Sequence, residues 1–252
     1  MEPVFRTLEF AVPAVVAMSG SRVSYEGLEH IPERGGAVVA INHTSYIDWI
    51  PAAMATYQRR RRLRFMIKEE MTHVPVVRWI IKQSGTIPVD RTAGAGAYAV
   101  AVERLRAGEI VGVYPEATIS RSFELKEFKT GAVRMALEAD VPILPMIVWG
   151  AHRRWTKDHP RKLGRARIPI TVKIGEPLWP TGRVDDDNAK LREVMTAMLY
   201  EVQEAYDHPR GAFWVPRRLG GSAPTPEEAA ALDQAELAER ARKRALREAR
   251  SR

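Results

Sequence analysis

Between residues 37 and 206, short runs of β-branched and other apolar residues alternate with longer stretches of helical periodicity. The runs are Ala37–Ile41, Leu63–Ile67, Thr86–Val89, Ile110–Tyr114, Val141–Trp149 and Ile168–Ile174. They are nearly continuous, which is the pattern of strands in a sheet covered on both faces. Helical stretches fall at about 72–83, 95–107, 130–139 and 186–206. In the last, Leu191, Val194, Met195, Met198, Leu199 and Val202 predict a stripe that packs on the core. Strands that alternate with helices predict an α/β domain with a mixed, largely parallel sheet covered by helices.

The flanks follow other patterns. Residues 3–18 predict a short helix bearing Val4, Phe5, Leu8, Phe10, Val12, Val15 and Val16. Such a helix either packs on the core or lies in a lipid headgroup layer. Its most apolar stretch, Phe10–Met18, is far shorter than the roughly 20 residues of a membrane span. Glu2 and Glu9 in its charged end do not fit a signal peptide. Residues 207–226 carry Pro209, Gly211, Pro216, Gly220, Gly221, Pro224 and Pro226 and predict a loop. Its Phe213 and Trp214, beside Arg210, Arg217 and Arg218, either pack on the domain or touch headgroups. Residues 227–252, rich in Ala, Glu and Arg, predict a solvated, fraying helix, because few apolar residues are available to pack. The expected organisation is thus 1–20 N-terminal helix, 21–206 α/β domain, 207–226 loop and 227–252 charged helix.

Composition narrows the function. The chain has 252 residues, enough for one large domain with appendages. It holds 39 Lys and Arg against 31 Asp and Glu, a formal net charge of +8, which favours an anionic partner. There is no cysteine, which excludes disulfides, thiolate nucleophiles and Cys-ligated metal centres. The nucleophile-elbow, P-loop and dinucleotide fingerprints are also missing. Arg59–Arg62, with Arg64 and Lys68, form a basic run that suits either an anionic bilayer or a solvated helix end. His152 and His159 sit among basic and polar residues and read as surface groups.

Three polar pairs follow directly after predicted strands: Asn42-His43, Asp90-Arg91 and Pro115-Glu116. In open α/β sheets ligands bind beyond the carboxyl ends of the strands, so three strands would deliver a base, a cation and a carboxylate to one rim. His43 and Asp48 do not share a face of a continuous helix at 3.6 residues per turn. Across a strand-to-helix turn, however, Asp48 can reach back to the imidazole, fix its tautomer and stabilise the imidazolium. The other ring nitrogen is then free to take a proton from a hydroxyl. The alternative is that Asp48 belongs to a capping box begun by Ser45 and merely caps the helix. Arg91 has the planar fork that suits a phosphate, or it pairs with Asp90 at the surface.

These residues stand in a known order. Asn42-His43-Thr44-Ser45-Tyr46-Ile47-Asp48 resembles the Asn-His-x4-Asp block of the PlsC-type glycerophospholipid acyltransferases. Gly85–Arg91 is similar to that family's Gly-x-x-Phe-Ile-Asp-Arg block, and Tyr114–Thr118 to its Phe-Pro-Glu-Gly-Thr-Arg block. Phe128-Lys129-Thr130-Gly131 and Val141–Pro145 match the blocks that follow. Together they cover about residues 25–180, and within the family the chain looks most like actinobacterial lysophosphatidic acid acyltransferases.

The resemblance implies the glycerolipid acyltransferase fold. It implies transfer of an acyl chain from an acyl thioester, on coenzyme A or acyl carrier protein, to the sn-2 hydroxyl of 1-acylglycerol 3-phosphate. No cofactor or metal is needed. His43 would be the general base and Asp48 its orienter. Arg91 would hold the acceptor phosphate and Glu116 would position the acceptor's glycerol end, with Thr118 beside it and Lys129 as a second phosphate ligand. A peripheral, monotopic protein on the cytoplasmic face of an anionic membrane would meet both substrates, with the N-terminal helix and the Arg59–Arg62 region facing the headgroups and no nucleic acid as partner. Two positions depart from the family. Ala117 replaces a Gly, which is unfavourable if the position needs positive φ. Ile119 replaces an Arg and removes a phosphate contact, which Arg121 or Lys129 would have to supply.

Overall fold

The computed structural model describes residues 3–68, 87–89, 95–162 and 164–250. The strands are β1 (Arg22–Glu26), β2 (Ala37–Ile41), β3 (Leu63–Lys68), β4 (Ile87–Val89), β5 (Ile110–Val113), β6 (Ile143–Trp149) and β7 (Pro169–Ile174). The helices are α1 (Pro3–Met18), α2 (Trp49–Gln58), α3 (Ala95–Arg106), α4 (Gly131–Ala139), α5 (Val184–Ala205) and α6 (Pro226–Arg250). The predicted stretch at 72–83 lies outside the described residues.

The strands form one sheet in the order β1-β7-β6-β2-β5-β3-β4. Every neighbouring pair is parallel except β6 and β7. Central β2 lies between β5 and β6, and all five of its residues are fully buried. Strand periodicity sorts these residues to two faces. Val38 and Ala40 join Val111, Val113 and Ile147 in a core with residues of α3, α4 and α5. Val39 and Ile41 join Leu144, Met146 and Val148 in a core with residues of α2. Both faces are therefore covered, as the continuous apolar runs predict.

β1 is an unpredicted strand. Its sequence alternates Arg, Val, Ser, Tyr, Glu with alternating exposure and no continuous apolar run, because it lies at the sheet edge. The N-terminal segment is tied down just before it. The buried Arg154 guanidinium donates to the carbonyls of Ser19, Lys162, Gly164 and Ala166. In the 207–226 loop, Trp214 is buried against Trp149 and Tyr206, with the Arg153 guanidinium 4.6 Å from its ring centre. Trp214 thus packs on the domain. The α5 stripe is buried at Leu191, Met195, Met198, Leu199 and Val202.

Two expectations are corrected. His152 is not a surface group: it is 1% exposed, with its ring between those of Trp149, Phe123 and Trp214. Burial and the neighbouring Arg153 push it down to about 3, so it is a neutral core residue. Nor is α6 simply solvated. Asp233 and Glu236 on its inner side pair with Arg121, Lys126 and Lys157, and charge supplies the docking that its few apolar residues cannot.

Candidate active site

The carboxyl ends of adjacent β2 and β5 place Asn42-His43 and Pro115-Glu116 on one rim. Asn42 extends the sheet with its side chain. Its Nδ2 donates to Val148 O and its Oδ1 accepts from Val148 N, which stitches the strand end to β6. The chain then turns sharply into α2. Asp48 closes this turn, because its Oδ2 accepts from Thr44 N at 2.8 Å and Ser45 N at 2.7 Å. Ser45 Oγ donates to Trp155 O and accepts from Ile47 N instead of Asp48 N, so only the Asp48-to-Ser45 N half of a capping box is made, and Asp48 makes no side-chain cap to α2.

The same Oδ2 stands 3.3 Å from His43 Nδ1. A carboxylate only accepts, so in the neutral ring Nδ1 is the nitrogen that carries the proton and Nε2 the one that keeps its lone pair. Nε2 has no protein partner among the described residues. The His43 side chain is 18% exposed and that of Asp48 fully buried. Burial pushes the Asp48 carboxyl up, while the hydrogen bond and charge of His43 pull it back. The imidazole stacks on Tyr114, with ring centres 4.0 Å apart. Burial and then the Asp48 charge hold the Tyr114 phenol well above its usual range, so it remains neutral. The arrangement is an oriented imidazole at a sheet rim whose Nε2 meets no partner among the described residues.

Glu116 does not touch His43's ring. Its Oε1 accepts from His43 N at 2.8 Å and its Oε2 from Lys126 N at 3.0 Å. Burial pushes this carboxyl up to about 8, against those two amides. Glu116 therefore clamps the His43 turn to the following loop. Ser120 N donates to His43 O at 2.7 Å and reinforces the clamp. Ala117 sits in this loop at φ 60, the left-handed region that the family's Gly would tolerate without cost. Ala117 carries the strain of that conformation.

The other expected ligands are placed as follows. Arg91 lies outside the described residues. Thr118 Oγ1 accepts from Lys126 Nζ at 2.7 Å. Lys129 is exposed, and its amide donates to Pro115 O. Ile119 is buried. Arg121 is buried too, and its guanidinium faces three carboxylates, Asp158, Asp233 and Glu236. Glu236 also accepts from Lys157 Nζ at 3.0 Å. Against a burial that would raise it, Glu236 is held down to about 2 by Lys157 and Arg121. Lys126 and Lys157 have no counterpart in the sequence reading; each lies near a polar block but carries no spacing that marks it.

An apolar groove of about 210 Å³ opens beside the turn, lined by Val15, Val16, Ile47, Ile50, Met54 and Trp155 among others. Val15, Met18, Tyr46 and Trp49 are exposed around this side. The Arg59–Arg62 run is elsewhere: α2 carries the chain from the rim back to the start of β3, at the amino ends of the parallel strands. There Arg61 donates to the carbonyls of Pro32, Gly35 and Gly108, and Arg59 pairs with Glu33. Among the described residues no helix is long and apolar enough to cross a membrane.

The chain is 30% identical over 194 residues to a 1-acyl-sn-glycerol-3-phosphate acyltransferase of Limnanthes douglasii, covering 71% of this chain and 64% of that protein. It is 27% identical over 141 residues to the Bacillus subtilis enzyme of the same name, covering 56% of this chain and 68% of that one. The chain thus spans less than two thirds of the plant relative's length. A solved structure, the 1-acyl-sn-glycerophosphate (LPA) acyltransferase PlsC from Thermotoga maritima, shares the fold, with a TM-score of 0.64 at 24% identity over 82% of this chain and 86% of that one. The acyltransferase family model matches residues 22–149, just over half of the chain, a span that holds His43, Asp48 and Glu116, and the chain belongs to the acyltransferase family.

Proposed function

We propose that the protein transfers a fatty acyl chain from an acyl thioester to the sn-2 hydroxyl of 1-acylglycerol 3-phosphate, giving phosphatidic acid. The observation that carries this reading is the His43–Asp48 pair at the rim, with Nε2 unpartnered among the described residues. His43 Nε2 removes the hydroxyl proton as the oxygen attacks the thioester carbonyl. Asp48 stabilises the imidazolium that forms. The tetrahedral intermediate collapses, the C–S bond breaks, and the thiolate leaves as thiol with the proton returned by His43. A positioned base of this kind contributes about 10²–10⁴-fold in rate. No covalent acyl-enzyme is required, which suits a chain without cysteine.

Glu116 holds the turn that presents His43, and so acts on the acceptor through position. Arg91 and Lys129 are the phosphate ligands this reading assigns. The acyl chain would lie along the groove beside Ile47 and Ile50. The exposed Val15, Met18, Tyr46 and Trp49 suit a peripheral seat in a headgroup layer on the cytoplasmic face. The donor is an acyl thioester of coenzyme A or acyl carrier protein.

A second reading keeps the chemistry and changes the acceptor. It is favoured by one observation: Ile119 stands buried at the third block's phosphate position, and Arg121 is engaged by carboxylates. The test is transfer of labelled palmitate from palmitoyl-coenzyme A to a panel of lysolipids. Lysophosphatidic acid as the best acceptor supports the first reading. Preference for a lysolipid with another head supports the second, and no transfer to any acceptor contradicts both. Vesicle sedimentation that ignores anionic lipid content would count against the membrane seat.

A further inference from the structure

Helix α6 is held to the body by charge. Ala229 is its one buried apolar side chain among the described residues, while Leu232, Leu237 and Leu246 are exposed. Its inner contacts are Asp233 and Glu236. They converge with Asp158 of the body on Arg121, and reach Lys126 and Lys157 as well. Arg121 Nε, Nη1 and Nη2 each donate to a different carboxylate, and an edge of the fork released from α6 has the two parallel N–H groups that suit a phosphate.

This cluster adjoins the catalytic turn. Lys126 N and His43 N share the Glu116 carboxylate, and Lys126 Nζ also donates to Thr118 Oγ1. Ser120, next to Arg121, donates its amide to His43 O. The charges also suit an exchange of anions. Arg121, Lys126 and Lys157 give three positive charges against the three negative charges of Asp158, Asp233 and Glu236. Without the two carboxylates of α6, the remainder is 3 − 1 = +2. A phosphomonoester carries about −1.5 to −2 near neutral pH, which matches that remainder.

We propose that Arg121, Lys126 and Lys157 form a phosphate-binding nest beside His43, masked by Asp233 and Glu236 of α6, which a phosphomonoester displaces. The proposal rests on the acyl-transfer reading for its choice of ligand. Two sources share the chemistry: the acceptor's headgroup and the 3′-phosphate of a coenzyme A donor. In either case α6 leaves the nest as the phosphate enters it. The ion pairs it gives up are partly exposed and open to screening.

The test follows amide hydrogen exchange of α6 in the full chain during titration with inorganic phosphate, glycerol 3-phosphate, coenzyme A or dephospho-coenzyme A, against chloride at equal ionic strength. Faster exchange in α6 with phosphomonoesters than with chloride is expected. Response to glycerol 3-phosphate names the headgroup; response to coenzyme A but not to its dephospho form names the donor. The double variant Asp233→Asn, Glu236→Gln should bind inorganic phosphate about tenfold more tightly, the scale of a modest change in local charge. If the headgroup is the source, the variant's KM for lysophosphatidic acid falls in step, and that for an uncharged monoacylglycerol does not. Exchange in α6 that follows ionic strength alone, with phosphate binding no tighter in the variant, would overturn the nest and leave α6 a structural latch. These binding arms need no turnover, so a failure of the acyl-transfer reading would show separately, as absent product.

Discussion

The catalytic turn and the cationic nest beside it are both organised by carboxylates, over very different ranges of the chain. Asp48 gathers His43, Thr44 and Ser45, all within five residues of itself, and is fully buried. The nest joins Arg121 to Asp158, Asp233 and Glu236, at separations of 37, 112 and 115 residues, and the side chain of Asp158 is 58% exposed. Buried, short-range bonds are screened little by salt and lose little chain entropy on forming. Long-range pairs whose carboxylates keep 17–58% of their side chains exposed are more open to screening and break one element at a time. The first arrangement suits a base that must hold its aim, the second a contact that exchanges partners.

The comparison breaks most sharply at Asp48. Asp48→Asn should lower kcat by about 10²–10⁴-fold, because the imidazolium loses its counter-charge. Steady-state rates at low and high salt should fall equally. A loss that added salt rescues would place the turn in the screened class with the nest.

Glu116 comes next. Glu116→Gln cannot accept from both His43 N and Lys126 N, and leaving one buried amide without an acceptor costs about 1–3 kcal/mol. The pH dependence carries a sign. The folded carboxyl is raised to about 8 from an ordinary 4.5, so between these values the folded state holds more protons than the unfolded state. Stability therefore falls as pH rises through that window, and the raised Asp48 carboxyl acts in the same direction. Urea midpoints measured between about pH 5 and about pH 9 should decline in the wild type and decline less in Glu116→Gln.

Salt then separates the two regions directly. Raising sodium chloride to about 1 M, where the screening length is only about 3 Å, should speed amide exchange in α6 and leave that of residues 44–48 unchanged. Equal responses would remove the distinction. The smallest expected effect is at Ala117. Ala117→Gly relieves a left-handed φ of 60 and should raise stability by about 1 kcal/mol, read as a shift in the thermal midpoint.

What could be read from the residues follows the same division. β2, β5 and β6 are legible because burial on both faces leaves continuous apolar runs. β1 is not, because an edge strand needs only alternate residues inside. His43 and Glu116 declare themselves by standing just past strand ends, whereas the spacing of Asp48 leaves helix capping open and only the Asn-His-x4-Asp resemblance singles it out. Nothing local marks Lys126, Lys157, Asp233 or Glu236, since each gains meaning only when distant segments meet. His152 misleads for the opposite reason: its neighbours Arg153 and Arg154 look solvated, yet Arg154 is buried and donates to four backbone carbonyls.

The central claim is that His43 is the base in acyl transfer to a lysophospholipid hydroxyl. Its most direct test is the rate of phosphatidic acid formation from palmitoyl-coenzyme A and lysophosphatidic acid by wild type and His43→Ala, with circular dichroism to establish that both are folded. The account predicts product from the wild type and a loss of at least about 10²–10⁴-fold in the folded variant. Equal rates in the two proteins would contradict it.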